Sequence, residues 1–341
     1  MRIFATHDDT GCGWYRVLLP MQQLAAHGHE VKLKVGRGAY YSEMVSYPLV
    51  VGQRIDKQAA LSPWRQLRMR SKLVYEIDDD VFSVDRMNWQ AYEVYSRAVT
   101  RDAVSHAAQV SNLVTVTNGY LADVMREHNP DVTVLPNFIP SWVLDLPAPA
   151  GDRPAVGWAG GASHGKDVQL IARPLRRFLE RHKEWDAILF GTDYRPTVGH
   201  HRCGFIPWVN IQAEPETYYR SLDFDIGLAP LAPDGVFNRS KSAIKALEYA
   251  ARGIPVIASD AEPYRDFVLH GVTGFLVRYD HEWLKYMRQF SSTLTGARRW
   301  ARRRKNTPAR SRSRRTGACG KRRTRRYETR ADVRAYLRRP R

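Results

Sequence analysis

Residues 240–260, "SKSAIKALEYAARGIPVIASD", decide the fold. A helical period runs straight into a short apolar strand. Ala243, Ile244, Ala246, Leu247, Ala250 and Ala251 recur at i, i+3/i+4 and i+7/i+8, the spacing of a helix with one apolar side. "IPVIAS" follows as a buried parallel strand would. Lys241, Lys245, Glu248 and Arg252 share the other side of the helix. Two lysines at the helix start oppose a dipole end that is already positive. An anion held among them would offset that cost, because a helix start also offers unpaired N–H groups. Asn238 or Ser240 stands where an N-cap is expected, with Ser242 just inside. A diphosphate suits such a place, and Glu248, two turns on, suits a ribose. The alternative is a solvated face with a Lys245–Glu248 pair worth about 0.2–0.5 kcal/mol.

Outward from this stretch the same unit repeats. "MRIFAT", a glycine loop, a helical run closed by Gly28, and "HEVKLKVG" make a βαβ unit, which implies a parallel sheet. "KLVYEIDDDVF" is a strand ending in acids, and "QVSNLVTVTNGYLADVMREHNPDVTVLPN" is strand, helix and strand again. The pattern breaks at 139–155, where Pro140, Pro147, Pro149 and Pro154 mark a linker. It restarts at "AVGWAGGASHGKDVQLIARPLRRFLERH", with Pro174 inside the helical part. The expected fold class is α/β: two Rossmann-like open parallel-sheet domains facing across a cleft. The first spans 1–140, a linker covers 141–155, and the second domain spans 156–290. Ligands of open parallel sheets sit outside the carboxyl ends of the strands, so the strand-to-helix loops carry the site.

The net charge of +18 sits in one place. Residues 291–341 hold 20 of the 53 Lys+Arg and two of the 35 acids, so the rest of the chain is balanced. With neither helical nor strand period, this segment reads as a disordered basic tail. Contact with nucleic acid or acidic membrane through it is not favoured over an enzymatic role for the neutral body. No apolar run approaches the ~18 residues of a membrane span. No leader pattern opens the chain, and three scattered cysteines suit a reducing, cytoplasmic setting.

Other loops carry residues with chemical potential. Gly11-x-Gly13 matches the first two glycines of a dinucleotide fingerprint, but Arg16 stands where the third is needed, so an NAD site is not expected. Two readings of that loop stand: a glycine turn opening a helix, or a pocket with Arg16 aimed at an acidic ligand. Asp78, Asp79 and Asp80 suit capping or holding a ligand hydroxyl better than a metal, and no metal is expected. His164 is a loop histidine able to face a ligand. His200, His201 and Cys203 lack a partner cluster for zinc.

"LEYAARGIPVIASD" resembles the "EAMACGxPVVAS" segment of GT-B glycosyltransferases of the retaining group 1 (family 4) type. "GHEV", "VTVTNGYLADVM", "VTVLPN" and "HGVTGFLV" resemble that family too, in register over roughly 1–290. Lys241, Ser242, Lys245, Glu248 and Tyr249 match a subgroup with a "KS-x-x-K-x-x-EY" helix. The resemblance implies a UDP- or GDP-linked sugar donor, an acceptor of unread identity, no cofactor and retention of anomeric configuration. It places Glu248 on the ribose and Lys166 on the diphosphate. Two departures stand out: Gly161 replaces an arginine five residues before Lys166, and Ser240 replaces the first acid of the paired-glutamate motif. Lys241 is expected to supply the missing cation. Lys166 and Lys241 are thus the catalytic candidates. Gly160, Gly161, His164, Asn238, Ser240, Ser242, Lys245 and Glu248 are the donor-side candidates. Gly11, Gly13, Arg16, Asp78 and Asp79 are those of the acceptor side. The rival readings are a nucleic-acid binder gripping phosphate through the tail, and a glycosyltransferase acting on modified DNA.

That family closes with an aromatic-rich crossing helix, which this chain lacks. One permitted codon choice for Arg314–Thr324, read one frame over, encodes Glu-Asp-Trp-Gly-Leu-Trp-Glu-Ala-Ala-Tyr. The tail is therefore expected to be a frameshift product.

Overall fold

The computed structural model describes residues 1–36, 40–86, 88–233 and 236–305, with 294–305 as helical backbone. Two six-stranded sheets, all parallel, form the molecule. The first contains β1 (Arg2–His7), β2 (Glu30–Val35), β3 (Leu49–Gln53), β4 (Lys72–Glu76), β5 (Leu113–Val116) and β6 (Val132–Val134) in the order β2-β1-β3-β4-β5-β6. The second contains β7 (Ala155–Gly160), β8 (Asp186–Gly191), β9 (Cys203–Pro207), β10 (Ile226–Ala229), β11 (Val256–Ser259) and β12 (Gly274–Val277) in the order β12-β11-β10-β7-β8-β9. Strand order reverses between β1 and β3 in one sheet and between β7 and β10 in the other. At such a switch point adjacent loops leave in opposite directions and open a crevice. The chain thereby fixes where a ligand can sit before any side chain is considered.

The apolar periodicity explains the layers. In the helix Gly165–Arg181, Val168, Ile171, Leu175, Phe178 and Leu179 are buried against β7, β8 and the helix Asp280–Lys305. Pro174 lies inside that helix without ending it. On the other face of the second sheet, Phe224, Tyr249, Ile254 and Val256 pack with Trp14 and Tyr15 from the beginning of the chain. The first sheet buries its larger core around Trp64, Tyr75, Val104 and Leu121.

One expectation needs correction. The segment from 291 is not without structure at its start, since the helix Asp280–Lys305 runs through it. Its apolar side, Trp283, Tyr286, Met287 and Phe290, continues i, i+3, i+4, i+7 into the second core, with Tyr286 stacked on Phe275 at 4.2 Å. Once anchored, the helix propagates through alanine and arginine, both good helix formers. The remaining tail, 306–341, and with it the frameshift reading, lies outside the described residues. The proline-rich segment crosses between the sheets, but it is pinned. Ser141–Asp145 forms one short 3-10 turn, with Val143 and Leu146 buried in the second core.

Candidate active site

The loops after β1, β3 and β4 face those after β7 and β10, and side-chain bonds join them. From the first sheet come Tyr15, Arg54, Asp78, Asp79 and Asp85. From the second come Lys166, Lys241, Lys245, Glu248 and His164.

The loop after β1 is shaped by Gly13, where a Cβ would lie 2.0 Å from the Asp8 carbonyl oxygen. Its N–H donates to Asp8 Oδ1 at 2.8 Å. Gly11 opens the helical turn Gly11–Gly13, capped by Thr10, and a π turn over Trp14–Leu18 follows. That turn aims Tyr15 across the cleft and Arg16 into its own sheet. Arg16 Nε is 2.6 Å from Glu76 Oε1, and its Nη1 donates to Asn137 Oδ1 at 3.0 Å and to the Leu135 carbonyl. Burial works against the charge on Arg16, but Glu76 outweighs it and the pKa is raised. The structure therefore gives Arg16 to a buried protein carboxylate, which favours the glycine-turn reading of the loop over a pocket with Arg16 aimed at an acidic ligand.

Asp78 and Asp79 end the β4 strand-to-loop turn. Arg54 Nη2 is 2.5 Å from Asp78 Oδ1 and 3.2 Å from Asp79 Oδ2. Asp79 Oδ1 also accepts from Lys241 Nζ at 2.9 Å. Lys166 Nζ donates to Asp85 Oδ2 at 3.0 Å.

The opening helix of the sequence argument starts later than expected. It spans Ile244–Ala251, its N-cap is Ala243, and no side chain caps it. Asn238 and Ser240 are not its caps. A short helix, Val236–Arg239, precedes it, and Asn238 Nδ2 donates to the Ala232 carbonyl at 2.9 Å. Ser240 Oγ accepts from the Asp80 N–H at 2.9 Å, and Ser242 Oγ accepts from Asn137 Nδ2 at 2.9 Å. The chain is held across the cleft here, which delays the helix by three residues. Lys241 therefore precedes the helix and does not oppose its dipole from within.

The polar stripe is not a solvated face either. Lys245 is 8% and Glu248 3% exposed. Lys245 Nζ reaches His164 Nε2 at 3.1 Å, while His164 Nδ1 lies 2.6 Å from Asp167 Oδ2. Burial, then the nearby Lys245 charge, lower the His164 pKa to about 4. A neutral ring fits both contacts, with Nδ1–H donating to Asp167 and Nε2 accepting from Lys245. Burial lowers the Lys245 pKa to about 8, against the pull of Asp167 and Glu248. Burial pushes the Glu248 carboxyl up, and hydrogen bonds from Tyr15 and Tyr218 pull it back only in part. Tyr15 donates to Glu248 Oε1 at 2.6 Å and Tyr218 to the same oxygen at 3.0 Å.

Gly160 and Gly161 lead into the turn before the helix Gly165–Arg181. A Cβ on Gly160 would meet the Trp158 indole at 2.6 Å and His164 at 3.1 Å. A cleft of about 700 Å³ opens on the outer side of Lys166, between the two long helices of the second sheet. It lies to one side of the switch point, so the convergence of side chains, rather than the volume, marks the candidate site.

Tyr15, Arg54, Asp85, Asp167 and Tyr218 went unread in the sequence. Tyr15 lies between two glycine-loop candidates, with no local signal that it serves the other sheet.

Residues 153–291 match the family model described as Glycosyl transferases group 1. None of the curated proteins matches the chain. Among solved structures, sucrose-phosphate synthase from Thermosynechococcus elongatus has a TM-score of 0.59 and 15% identity, covering 86% of this chain and 90% of that one. The Anabaena HepE protein in complex with UDP-glucose has a TM-score of 0.59 and 16% identity, covering 87% and 91%. An alpha-glucosyltransferase in complex with UDP and a 13-mer DNA containing a HMU base has a TM-score of 0.55 and 12% identity, covering 86% and 90%. At these identities the likeness is one of fold.

Proposed function

We propose that this chain, a glycosyltransferase of the GT-B fold whose residues 153–291 match the group 1 family, moves a sugar from a nucleoside diphosphate sugar to an acceptor bound on the first-sheet side. The observation that carries the reading is the gathering of Lys166, Lys241 and Lys245 with Glu248 at the β7/β10 switch point. A departing diphosphate gains negative charge as the glycosidic bond breaks. Fixed ammonium groups and helix N–H groups stabilise that charge without reorganising. Lys166, Lys241 and the uncapped start of the helix Ile244–Ala251 take this role, with no metal assigned to it. Glu248 takes the ribose hydroxyls. Its Oε1 is already fixed by Tyr15 and Tyr218, and a hydroxyl replacing the Tyr15 contact would keep that carboxylate satisfied.

The test is a thermal-shift panel of UDP, GDP, ADP and TDP, followed by release of the matching nucleoside diphosphate from its sugar. A ligand at 100 times its Kd adds about 2.7 kcal/mol of stability. Stabilisation by one of the four, with turnover of its sugar conjugate, is the expected result. No stabilisation by any of them would remove the reading.

A further inference from the structure

Both lysines given to the diphosphate already hold a carboxylate, and both carboxylates come from the opposite sheet. Lys241 Nζ is 2.9 Å from Asp79 Oδ1, and Lys166 Nζ is 3.0 Å from Asp85 Oδ2. Neither pair is a free surface contact, and neither is fully sealed. Asp79 has a second tether, Arg54, at the end of β3 on the first switch point. Among the described residues other than glycine, Arg54 alone has a positive φ, 47°. Such a backbone costs about 1–3 kcal/mol and persists where the surroundings over-determine it. Here Asp78, Asp79 and the Cys12 sulfur, the last at 3.6 Å, fix the guanidinium. Burial raises the Asp79 carboxyl, but Lys241 and then Arg54 outweigh burial and keep it below its usual range.

We propose that Asp79 and Asp85 are resident counter-ions of the donor pocket. They are positioning residues that hold Lys241 and Lys166 at the switch point and yield them to the donor diphosphate. This rests on the donor reading above. A diphosphate oxygen at hydrogen-bond distance from either Nζ would lie close to the resident carboxylate, and like charges so near one another are unfavourable. The incoming anion and the aspartate therefore compete for one ammonium group. When Lys241 is taken, Arg54 still holds Asp79, so the carboxylate stays at the cleft. Its freed oxygen then faces the side where a hydroxyl-bearing acceptor enters.

The test measures UDP affinity by calorimetry, with GDP, ADP and TDP in parallel, for the full chain and its variants. Asp79→Asn and Asp85→Asn should each bind the nucleotide roughly two- to fivefold more tightly, the scale of a part-exposed ion pair. The gain from Asp79→Asn should vanish in a Lys241→Ala background, and that from Asp85→Asn in Lys166→Ala. Asp78→Asn touches neither lysine, and it should gain less than either. A gain that survives loss of the lysine would be a general field effect and would overturn the proposal, as would no gain at all. Wild-type affinity in both lysine variants would instead remove the donor reading. Because Asp79 also meets Arg54, its variant carries a folding risk; the Asp85/Lys166 cycle, on a more exposed pair, then decides the question alone.

Discussion

The two switch points treat their cations in opposite ways. In the first sheet, Arg16 and Arg54 are buried against acids of the same sheet, Glu76 and Asp78. In the second, Lys166 and Lys241 find their carboxylates across the cleft, and Lys245 faces a neutral histidine. One end is electrically closed within its own fold. The other holds surplus positive charge, borrowing acids from its neighbour. A guanidinium, delocalised and held by a fork, suits the closed end. An ammonium on a flexible stem suits the end that must change partners.

The comparison breaks hardest at Arg16. Arg16→Ala leaves Glu76 as an uncompensated buried charge, which costs about 3–5 kcal/mol. A large fall in Tm is expected, with nucleotide affinity of the folded fraction unchanged. Intact stability with lost binding would reverse the roles of the two ends.

The next effect is on catalysis. Lys166→Ala and Lys241→Ala should each lower kcat/KM more than tenfold, at least ~1.4 kcal/mol at the transition state. Tm should move little, since part-exposed pairs contribute about 0–1 kcal/mol. A variant that melts early yet turns over normally would make its lysine structural.

Glu248→Gln is a smaller perturbation. The amide oxygen still accepts from Tyr15 and Tyr218, while the charge that favours ribose hydroxyls is lost. Donor KM should rise roughly fivefold, about 1 kcal/mol, with kcat nearly constant. An unchanged KM would move the nucleotide elsewhere.

The smallest effect is that of pH on Lys245. Its folded pKa is about 8 against an ordinary value of 10.5. Between those values the unfolded chain binds more protons, so this residue adds stability as pH rises through that window. Nucleotide affinity should move the other way, falling above about pH 8 as the ammonium deprotonates. Lys245→Arg should hold affinity level to higher pH, and an identical decline in that variant would assign the titration to another group.

The fold was legible because each βαβ unit is local. Glycine loop, helical period and apolar strand follow one another directly along the chain, and the switch points follow from their order. Lys241, Lys245 and Glu248 were legible for the same reason, lying within one short stretch of chain. Their partners were not. Asp79 is 162 residues from Lys241 and Tyr15 is 233 from Glu248, and a charge in one domain says nothing of which charge in another will face it. The start of the helix at Ile244 was missed because contacts from the first sheet, through Asp80 and Asn118, hold 239–241 out of the helix. The helical period of "DHEWLKYMRQF" shows in the sequence, but the basic composition after 291 hid the continuation of that helix beyond its apolar anchor at Trp283–Phe290.

Trp14 and Tyr15 belong to the second sheet's core, with Leu18 and Leu19 packed beside them. During synthesis the first twenty residues emerge long before the polypeptide that will surround them. The early half of the chain must present this aromatic wedge to water, or to a chaperone, until the later half arrives. The later half, produced by itself, would carry a notch of matching shape lined by Tyr219, Phe224 and Tyr249. The two halves can therefore complete each other's interiors but cannot each finish alone, and a cut near 150 would yield two sticky fragments rather than two modules.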